Sequence, residues 1–458
     1  MPDLGTAAEL INAHAAELHR DGRLGRVARY LAGDQDLPYA PRGARAEYRV
    51  LARKSITNWL PLVSDTFAKG LWVDGYRPAR SADNAAPWSF WQANGLDARQ
   101  SIAHRGALEY GAAYVLVLPG TGETPVIRPL SPLRTRALYA DPDDEFPALA
   151  LVRGGTTIDG GVLYDVLDAS EVTRVVVPKG TGRPELVAST EHPLGVAPLV
   201  RFRDRLDGDA RGIIAPLHAL QDRINEAVFS LLIAIQYASF RQRWATGLAI
   251  PVDDQATLPD GRPNPNYGKP IEPFQAAVDR LWVSDSPEAR FGDFAQTDTS
   301  GHLRAYESAV RTLAAIAQTP PHVLLGDLVN LSADALAAAE ASTQRKLSEY
   351  ETIFGEAWEQ TLRLAALAAG DRTSAADTAS QVRWRDTEAR SLAATVDALG
   401  KIAQMLSVPA EGLWERIPGV TDGDLERWRE LAGRADGMAL LADALTRHAT
   451  GDTLPAAA

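Results

Sequence analysis

Apolar residues along this chain follow two periods, and the places where one gives way to the other divide it. The longest run with helical spacing begins after Pro320 and Pro321, which have no N–H to continue a preceding helix. Ser332 stands at an N-cap position. Leu336, Leu347, Tyr350, Phe354, Trp358, Leu362 and Ala365 then recur at three- or four-residue steps or multiples of them, and Gly370 is the stop. The pattern predicts a helix of roughly 38 residues, about 57 Å at 1.5 Å per residue. Such a helix either spans a large particle or packs against copies of itself.

A second long pattern starts at Gly212, where Ile213, Leu217, Leu220, Ile224, Val228, Leu231 and Ile235 make one face opposite Asp222, Arg223 and Glu226. Pro216 fits its first turn and Gly247 is the expected end. Past Val228 the pattern is apolar nearly all round, which predicts a middle enclosed by other elements. A third helix is expected over 301–318, where Leu303, Tyr306, Val310, Leu313 and Ile316 recur at steps of 3, 4, 3 and 3. Between these two helices, 248–300 is rich in proline and glycine and reads as a small irregular module with two or three strands.

The first 210 residues mix both periods. Residues 1–56 read as helices, with Ala8, Ile11, Ala15 and Leu18 on one face. Asp74–Gly75 is a turn signal, and helical segments around Trp88, Trp91, Leu96, Ile102 and Leu108 break at Asn94–Gly95. Ala113–Leu118 reads as a buried strand. Short apolar runs then follow at roughly ten-residue spacing: Val126–Ile127, Ala148–Val152, Val162–Leu167, Val172–Val177, Leu186–Ala188 and Leu199–Phe202. An antiparallel sheet follows, so the fold class is α+β and predominantly helical. Two shorter helical pieces, around Trp414 and at Leu425–Leu431, close the pattern before an Ala-rich end expected to fray.

Composition narrows the function more than the fold. At 458 residues the chain can hold two or three cores. It has no cysteine, which removes disulfides, thiolate metal sites and cysteine nucleophiles together. No secretion signal is expected, and no apolar run approaches the ~20 residues that span a bilayer. The net charge of −12 is not that of a protein that grips nucleic acid by its phosphates, although an acidic surface would let DNA slide.

Candidate chemistry is sparse. Gly261–Lys269 has the wrong spacing for a phosphate loop and lacks the hydroxyl after the lysine, and Gly120–Thr121–Gly122 reads as a tight turn. Asp141, Asp143, Asp144 and Glu145 are oxygen donors without EF-hand spacing, and with Pro142 among them and Pro147 just after they read as a solvated loop. The histidines are dispersed, with no zinc-hydrolase spacing, and there is no nucleophile elbow. His322 lies in the apolar stretch TPPHVLLG. Arg241, Arg243 and Trp244 make a basic, aromatic end to the 212–246 pattern: either a phosphate contact or charges that complement a helix C-terminus. The residues thus indicate no catalytic group, metal or cofactor.

The order of these parts resembles a known family. NWLPLVSDTFAKGLWVDGYRP at 58–78, FWQANGLD at 90–97, HRGALEYGAAYVLV at 104–117, the stretch 216–247, the stretch 320–365 and WRDTEARS at 384–391 are similar to the bacteriophage portal proteins of the SPP1 Gp6-like family found in phages of actinobacteria. The resemblance implies a non-enzymatic head–tail connector in the virion, a ring of twelve copies assembled in the host bacterial cytoplasm. Double-stranded DNA would pass through its centre. The implied partners are the terminase large subunit, a head–tail connector or adaptor, and the major capsid and scaffolding proteins, with no membrane.

The same resemblance implies a wing at 1–210, a first stem helix at 211–247, a clip at 248–299, a second stem helix at 300–318 and a tunnel loop at 319–331. The long helix and wing return would be 332–384, and a helical crown 385–458. DNA-facing residues would be His322, Val323, Leu324, Leu325, Asp327 and Asn330; clip contacts would be Arg262, Asn264, Tyr267, Lys269 and Glu272. Many relatives read serine–glycine at the start of the long helix, where this chain has Ser332–Ala333. Two readings from other classes are a cytosolic enzyme using Asp141–Glu145 and a different capsid or connector component.

Overall fold

The computed structural model describes residues 4–39, 46–79, 86–120, 122–239, 243–247, 252–270, 287–293, 298–326, 333–385, 392–417, 420, 423–425 and 427–434. In chain order its elements are α1 (Leu4–Leu18), α2 (Arg23–Leu31), α3 (Ala46–Lys54), α4 (Leu60–Ala68), β1 (Val73–Arg77), α5 (Ala86–Ala93), α6 (Leu96–Tyr110), β2 (Ala112–Leu118), β3 (Val126–Leu130), β4 (Thr135–Leu138), β5 (Leu149–Thr156), β6 (Val162–Leu167), β7 (Glu171–Val177), β8 (Glu185–Glu191) and β9 (Leu199–Arg203). There follow α7 (His218–Ser239), β10 (Arg243–Thr246), β11 (Arg290–Asp293), α8 (Ser300–Ala317), α9 (Pro321–Leu325), α10 (Ala333–Ala368), α11 (Arg372–Ala375), β12 (Gln381–Trp384) and α12 (Leu392–Leu406). They fall into two compact units: Met1–Asp34 with Asn58–Ala219 and Leu313–Ala458, and Gln35–Thr57 with Leu220–Thr312.

The first unit is α+β. The strands expected as one sheet form two, because the period-2 alternation has apolar residues on both faces and each face needs a cover. One is a three-stranded antiparallel sheet in the order β3-β2-β9, the other a five-stranded meander β4-β5-β6-β7-β8. Leu116, Leu130 and Leu199 from the first sheet meet Ala150, Val152 and Leu167 from the second in one core. Leu151 and Val166, one residue out of phase, face the other way and pack on Ala7 and Leu10 of α1. Pro129 sits in β3, an edge strand where its missing N–H costs no ladder bond.

A two-stranded sheet joins distant parts of the sequence, with β1 antiparallel to β12. Asp74–Gly75 is therefore not the expected turn. It is an irregularity inside β1, between the pairs Val73↔Trp384 and Gly75↔Arg383, and Arg383 Nε donates to Asp74 Oδ1 at 3.0 Å across it. The break at Asn94–Gly95 is as expected, with Gly95 left-handed between α5 and α6. α10 runs for 36 residues, about 54 Å, and Gly370 ends it at φ +83°.

The second unit is smaller. Its polar centre is a buried amide network: Asn225 Nδ2 donates to Gln35 Oε1 (2.6 Å), and Gln221 Nε2 donates to Asn225 Oδ1 (3.0 Å) and to the Thr57 carbonyl (2.7 Å). Asn225 Oδ1 also accepts the Thr57 N–H. β10 and β11 pair antiparallel, and the bridges Val252↔Pro270 and Thr257↔Pro263 organise 252–270.

Two expectations about its helices change. The helix begun near residue 212 is regular only over α7, preceded by a 3-10 turn at Ala215–Leu217, so 243–246 are strand and not helix end. Its middle is not enclosed within the chain: Leu231, Leu232 and Ile233 are half-buried and Ile235 is 46% exposed. In α8 the inward face is Ala309, Val310, Leu313, Ala314 and Ala317, with Ile316 and Leu303 outward. The alanines, too small to mark a period in sequence, carry that seam.

Candidate functional site

The segment before α10 is positioned by the end of α8. That helix closes with the Thr319 N–H donating to the Ala314 carbonyl (2.9 Å) and the Gln318 N–H to the Ala315 carbonyl (3.2 Å). This is the crossed pattern of a Schellman cap, which needs a left-handed residue. Glycine usually supplies it; here Gln318 does, at φ +57°. A non-glycine residue in that conformation costs about 1–2 kcal/mol. The Thr343 hydroxyl, from α10, donates to the Gln318 carbonyl at 2.6 Å and holds the cap against the long helix.

Pro320 is then extended (φ −60°, ψ 132°) and Pro321 occupies the first turn of α9, where its missing N–H is an orphan in any case. Gly326 ends α9 at φ +74°, its N–H donating to the His322 carbonyl. The stretch expected as a loop is therefore a short helix over 321–325. A helix has an inward side, so the expected tunnel residues divide: Leu324 is only 5% exposed and packs into the chain, while His322, Val323 and Leu325 are half-buried. Leu324 does not belong with the exposed apolar residues anticipated there. His322 Nε2 lies 4.0 Å from Glu340 Oε1 of α10. Asp327, Asn330 and the Ser332 cap lie outside the described residues.

Behind this segment α10 is anchored in the aromatic core. Leu347 fits against Gly70, where a Cβ would stand 2.8 Å from its Cδ1. Lys346 lies along the rings of Phe67 and Tyr350, and burial lowers its ammonium below the ordinary lysine range. Further on, Trp358 Nε1 donates to His104 Nε2 at 2.8 Å in a fully buried setting. An indole only donates, so His104 Nε2 accepts, and its proton is on Nδ1, 3.2 Å from the Leu71 carbonyl. Phe354 stacks on the ring at 5.6 Å. Desolvation pushes the His104 pKa down to about 3, so the imidazole is neutral. The lone-histidine readings of the sequence did not single out His104; its only signal is a polar residue at i+4 from Gln100 on a helix face that is otherwise apolar.

In the second unit the expected clip residues also divide. Arg262, Tyr267 and Lys269 are exposed, Tyr267 at 59%, and Arg262 pairs with Asp260. Asn264 is buried: its Nδ2 donates to Asp253 Oδ2 (2.9 Å) and the Gln255 carbonyl (2.8 Å), and its Oδ1 accepts the Asn266 N–H. It builds the loop and presents no side chain to a partner, a correction to its place among the contact residues. Glu272 and Arg241 lie outside the described residues. Arg243 begins β10, paired in register with Asp293, so it belongs to a strand and not to the last turn of α7.

Asp141–Glu145 is an exposed turn bonded to itself, with the Asp141 N–H donating to Asp144 Oδ2 and the Asp143 N–H to Asp141 Oδ1. Among the described residues no group of three His, Cys, Asp or Glu is placed to hold a metal, and no helix is long and apolar enough to cross a membrane.

Comparison with known proteins points to one family. The family described as phage portal protein, SPP1 Gp6-like, matches residues 9–438. The portal protein of Mycobacterium phage D29 is 26% identical over 366 residues, covering 74% of this chain and 71% of the relative. That of Mycobacterium phage L5 is 24% identical over 364 residues, with the same two coverages. Among solved structures, a chain from the neck of an empty GTA particle aligns at TM-score 0.44 and 15% identity over 81% of this chain and 96% of its own. One from the neck of a native GTA particle aligns at 0.41 and 14% over 83% and 93%.

Proposed function

Because the chain belongs to the SPP1 Gp6-like family of phage portal proteins, we propose that it is the subunit of the ring at one capsid vertex through which a tailed phage packages and ejects its DNA. The observation that carries this reading is the extent of the family match, which leaves only short ends outside it. The apolar flank of α7, uncovered within one chain, supports assembly: half-buried Leu231–Ile233 and exposed Ile235 gain a cover if copies pack side by side.

In this reading 1–210 is the wing, α7 and α8 are the stem, and 248–299 is the clip that meets the terminase large subunit and later a connector protein. Residues 319–331 face DNA, 332–384 are the strut and wing return, and 385–458 are the crown. Twelve copies would close the ring in the virion, with major capsid and scaffolding proteins around it. The acidic chain suits a duct, since each phosphate it declines to neutralise is one fewer contact that holds DNA in place. Nucleotide hydrolysis falls to the motor that docks on it.

Electron microscopy of the purified chain tests the assembly, with rings around a central channel as the expected result. Compact monomers or dimers that bind nucleotide would overturn it. Leu325→Asp, on the half-buried side of α9, should leave the protein folded and assembled but reduce the fraction of DNA-filled heads. Normal filling would remove the 319–331 segment from contact with DNA.

A further inference from the structure

On the first unit, a groove of about 640 Å³ opens where α6 and the two sheets meet. Its floor is apolar, with Leu116, Leu130 and Val152 from the core between the sheets. Its rim is cationic: Arg99 on α6, Arg128 on β3, Arg134 before β4 and Arg174 on β7. Arg174 is neutralised by Asp165, which it grips through Nε (2.6 Å) and an Nη (3.0 Å). Arg134 donates only to the Arg153 carbonyl, which leaves its charge uncompensated. Arg99 and Arg128 are exposed and have no ion-pair partner among the described residues. Three unbalanced guanidinium groups around one cavity are unexpected in a chain of net charge −12.

We infer that this groove receives the acidic turn Asp141–Glu145 of a neighbouring copy of the chain. The inference rests on the ring reading above. The turn is built in advance for such a role: its backbone is fixed by Asp141 and Asp144, and Arg201 and Gln360 donate to the Pro142 and Glu145 carbonyls. Its acidic side chains stay exposed. Asp141 and Asp144 accept backbone N–H groups of the turn and Asp143 acts on Arg203, so Glu145 is the carboxylate with no hydrogen-bond or ion-pair partner among the described residues. Pro142, also exposed, suits an apolar floor.

Topology prevents a copy from satisfying itself. The turn joins the far ends of β4 and β5, beyond Leu138 and Leu149, whereas the groove takes Arg134 before β4 and Gly154–Gly155 late in β5. From Leu149 to Gly154 is about 17 Å at 3.4 Å per residue. Opposite charges at opposite ends of the same two strands make a head-to-tail contact, the heterologous kind that closes into a ring. A line of duplex phosphates would want a long, open basic face. A short groove with an apolar floor fits a turn of a few residues better.

The chain has no cysteine, so paired substitutions can be cross-linked without background. Arg128→Cys and Glu145→Cys, introduced together and treated with a short bismaleimide, should give a ladder of covalent multimers up to the ring. Each single variant should stay uncross-linked. Separately, Arg99→Glu with Arg128→Glu should lower ring yield at least tenfold in low salt, seen by mass photometry, with an unchanged far-UV circular dichroism spectrum. Adding Glu145→Arg to that variant should restore rings. Rings that form normally in every variant and give no ladder overturn this contact and leave the ring reading standing. A folded chain that stays monomeric at all concentrations overturns both. If the groove variant assembles normally and loses only retention of a DNA fragment in a mobility-shift gel, the groove is a nucleic-acid site and the inference is wrong.

Discussion

The buried histidine of the first unit makes acid lability a quantitative matter. His104 has an ordinary value of 6.5 and a folded value of about 3, because burial disfavours the imidazolium. Between those two pH values the unfolded chain binds a proton that the folded chain refuses. Stability from this site is therefore complete above about pH 6.5 and falls as pH drops toward 3, at about 1.4 kcal/mol per pH unit. The whole swing is about 5 kcal/mol, a large share of a typical domain's stability. Between pH 7 and 4.5 the loss is about 2–3 kcal/mol. His104→Gln removes the titrating group while keeping an acceptor for Trp358 and a donor for Leu71. At pH 7 it should cost about 1–2 kcal/mol from imperfect geometry. Urea unfolding followed by tryptophan fluorescence should show the variant less stable than wild type at pH 7 and equal to it or more stable at pH 4.5, a relative change of about 2–3 kcal/mol. The other titrating groups are common to both proteins and cancel. Parallel losses in the two would refute the claim that a neutral, proton-refusing His104 sits in this core.

Other outcomes follow from single contacts. Thr343→Val removes the hydroxyl that donates to the Gln318 carbonyl and should cost about 1 kcal/mol, with faster amide hydrogen exchange over 319–326 measured by mass spectrometry. Gln318→Val, β-branched at φ +57°, should lower the melting temperature by more than Gln318→Gly, which relieves the strain in calorimetry. Gly70→Ala places a methyl group 2.8 Å from Leu347 Cδ1 and should destabilise by about 1–3 kcal/mol; adding Leu347→Ala should show a favourable coupling in a double-mutant cycle. Asn225→Ala strips partners from Gln35, Gln221 and the Thr57 N–H together, and should cost about 3 kcal/mol in chemical unfolding of the second unit.

Much of this architecture is legible in residue order, for reasons that are local. Gly370 and Gly95 mark their breaks because a left-handed backbone selects glycine, and the long apolar series from Leu347 to Ala365 can only be one face of a helix. Local signals fail where a distant partner decides. Asp74–Gly75 reads as a turn until β12, some 300 residues later, pairs across it. The helix expected to Gly247 stops at Ser239 because the chain from Arg243 finds a strand partner at Arg290–Asp293. Two sheets instead of one follow from which strands meet, and alternation alone does not specify that. In the candidate site the error is of another kind. Val323, Leu324 and Leu325 are apolar and follow prolines, but a single helical turn is enough to send Leu324 inward, and Asn264 is polar yet buried because the loop needs its amide.

These two surprises bear on how the segment before α10 could work. From Leu347 to Ala366 the long helix is fixed by Phe67, His104 and Phe202 through Tyr350, Phe354 and Trp358, so that half cannot shift without opening the core. The segment over 318–326 is held differently. Among the described residues it meets the helix through the Thr343 hydroxyl bond and the 4.0 Å approach of His322 to Glu340, Leu324 is buried, and the cap that leads into the segment carries strain at Gln318. Breaking that hydroxyl bond costs about 1 kcal/mol, and releasing the left-handed residue returns a similar amount. The difference between the seated segment and a displaced one is therefore small, set mainly by the few apolar contacts of α9. The chain thus sets a strut locked by aromatic packing behind a short helix held by far less.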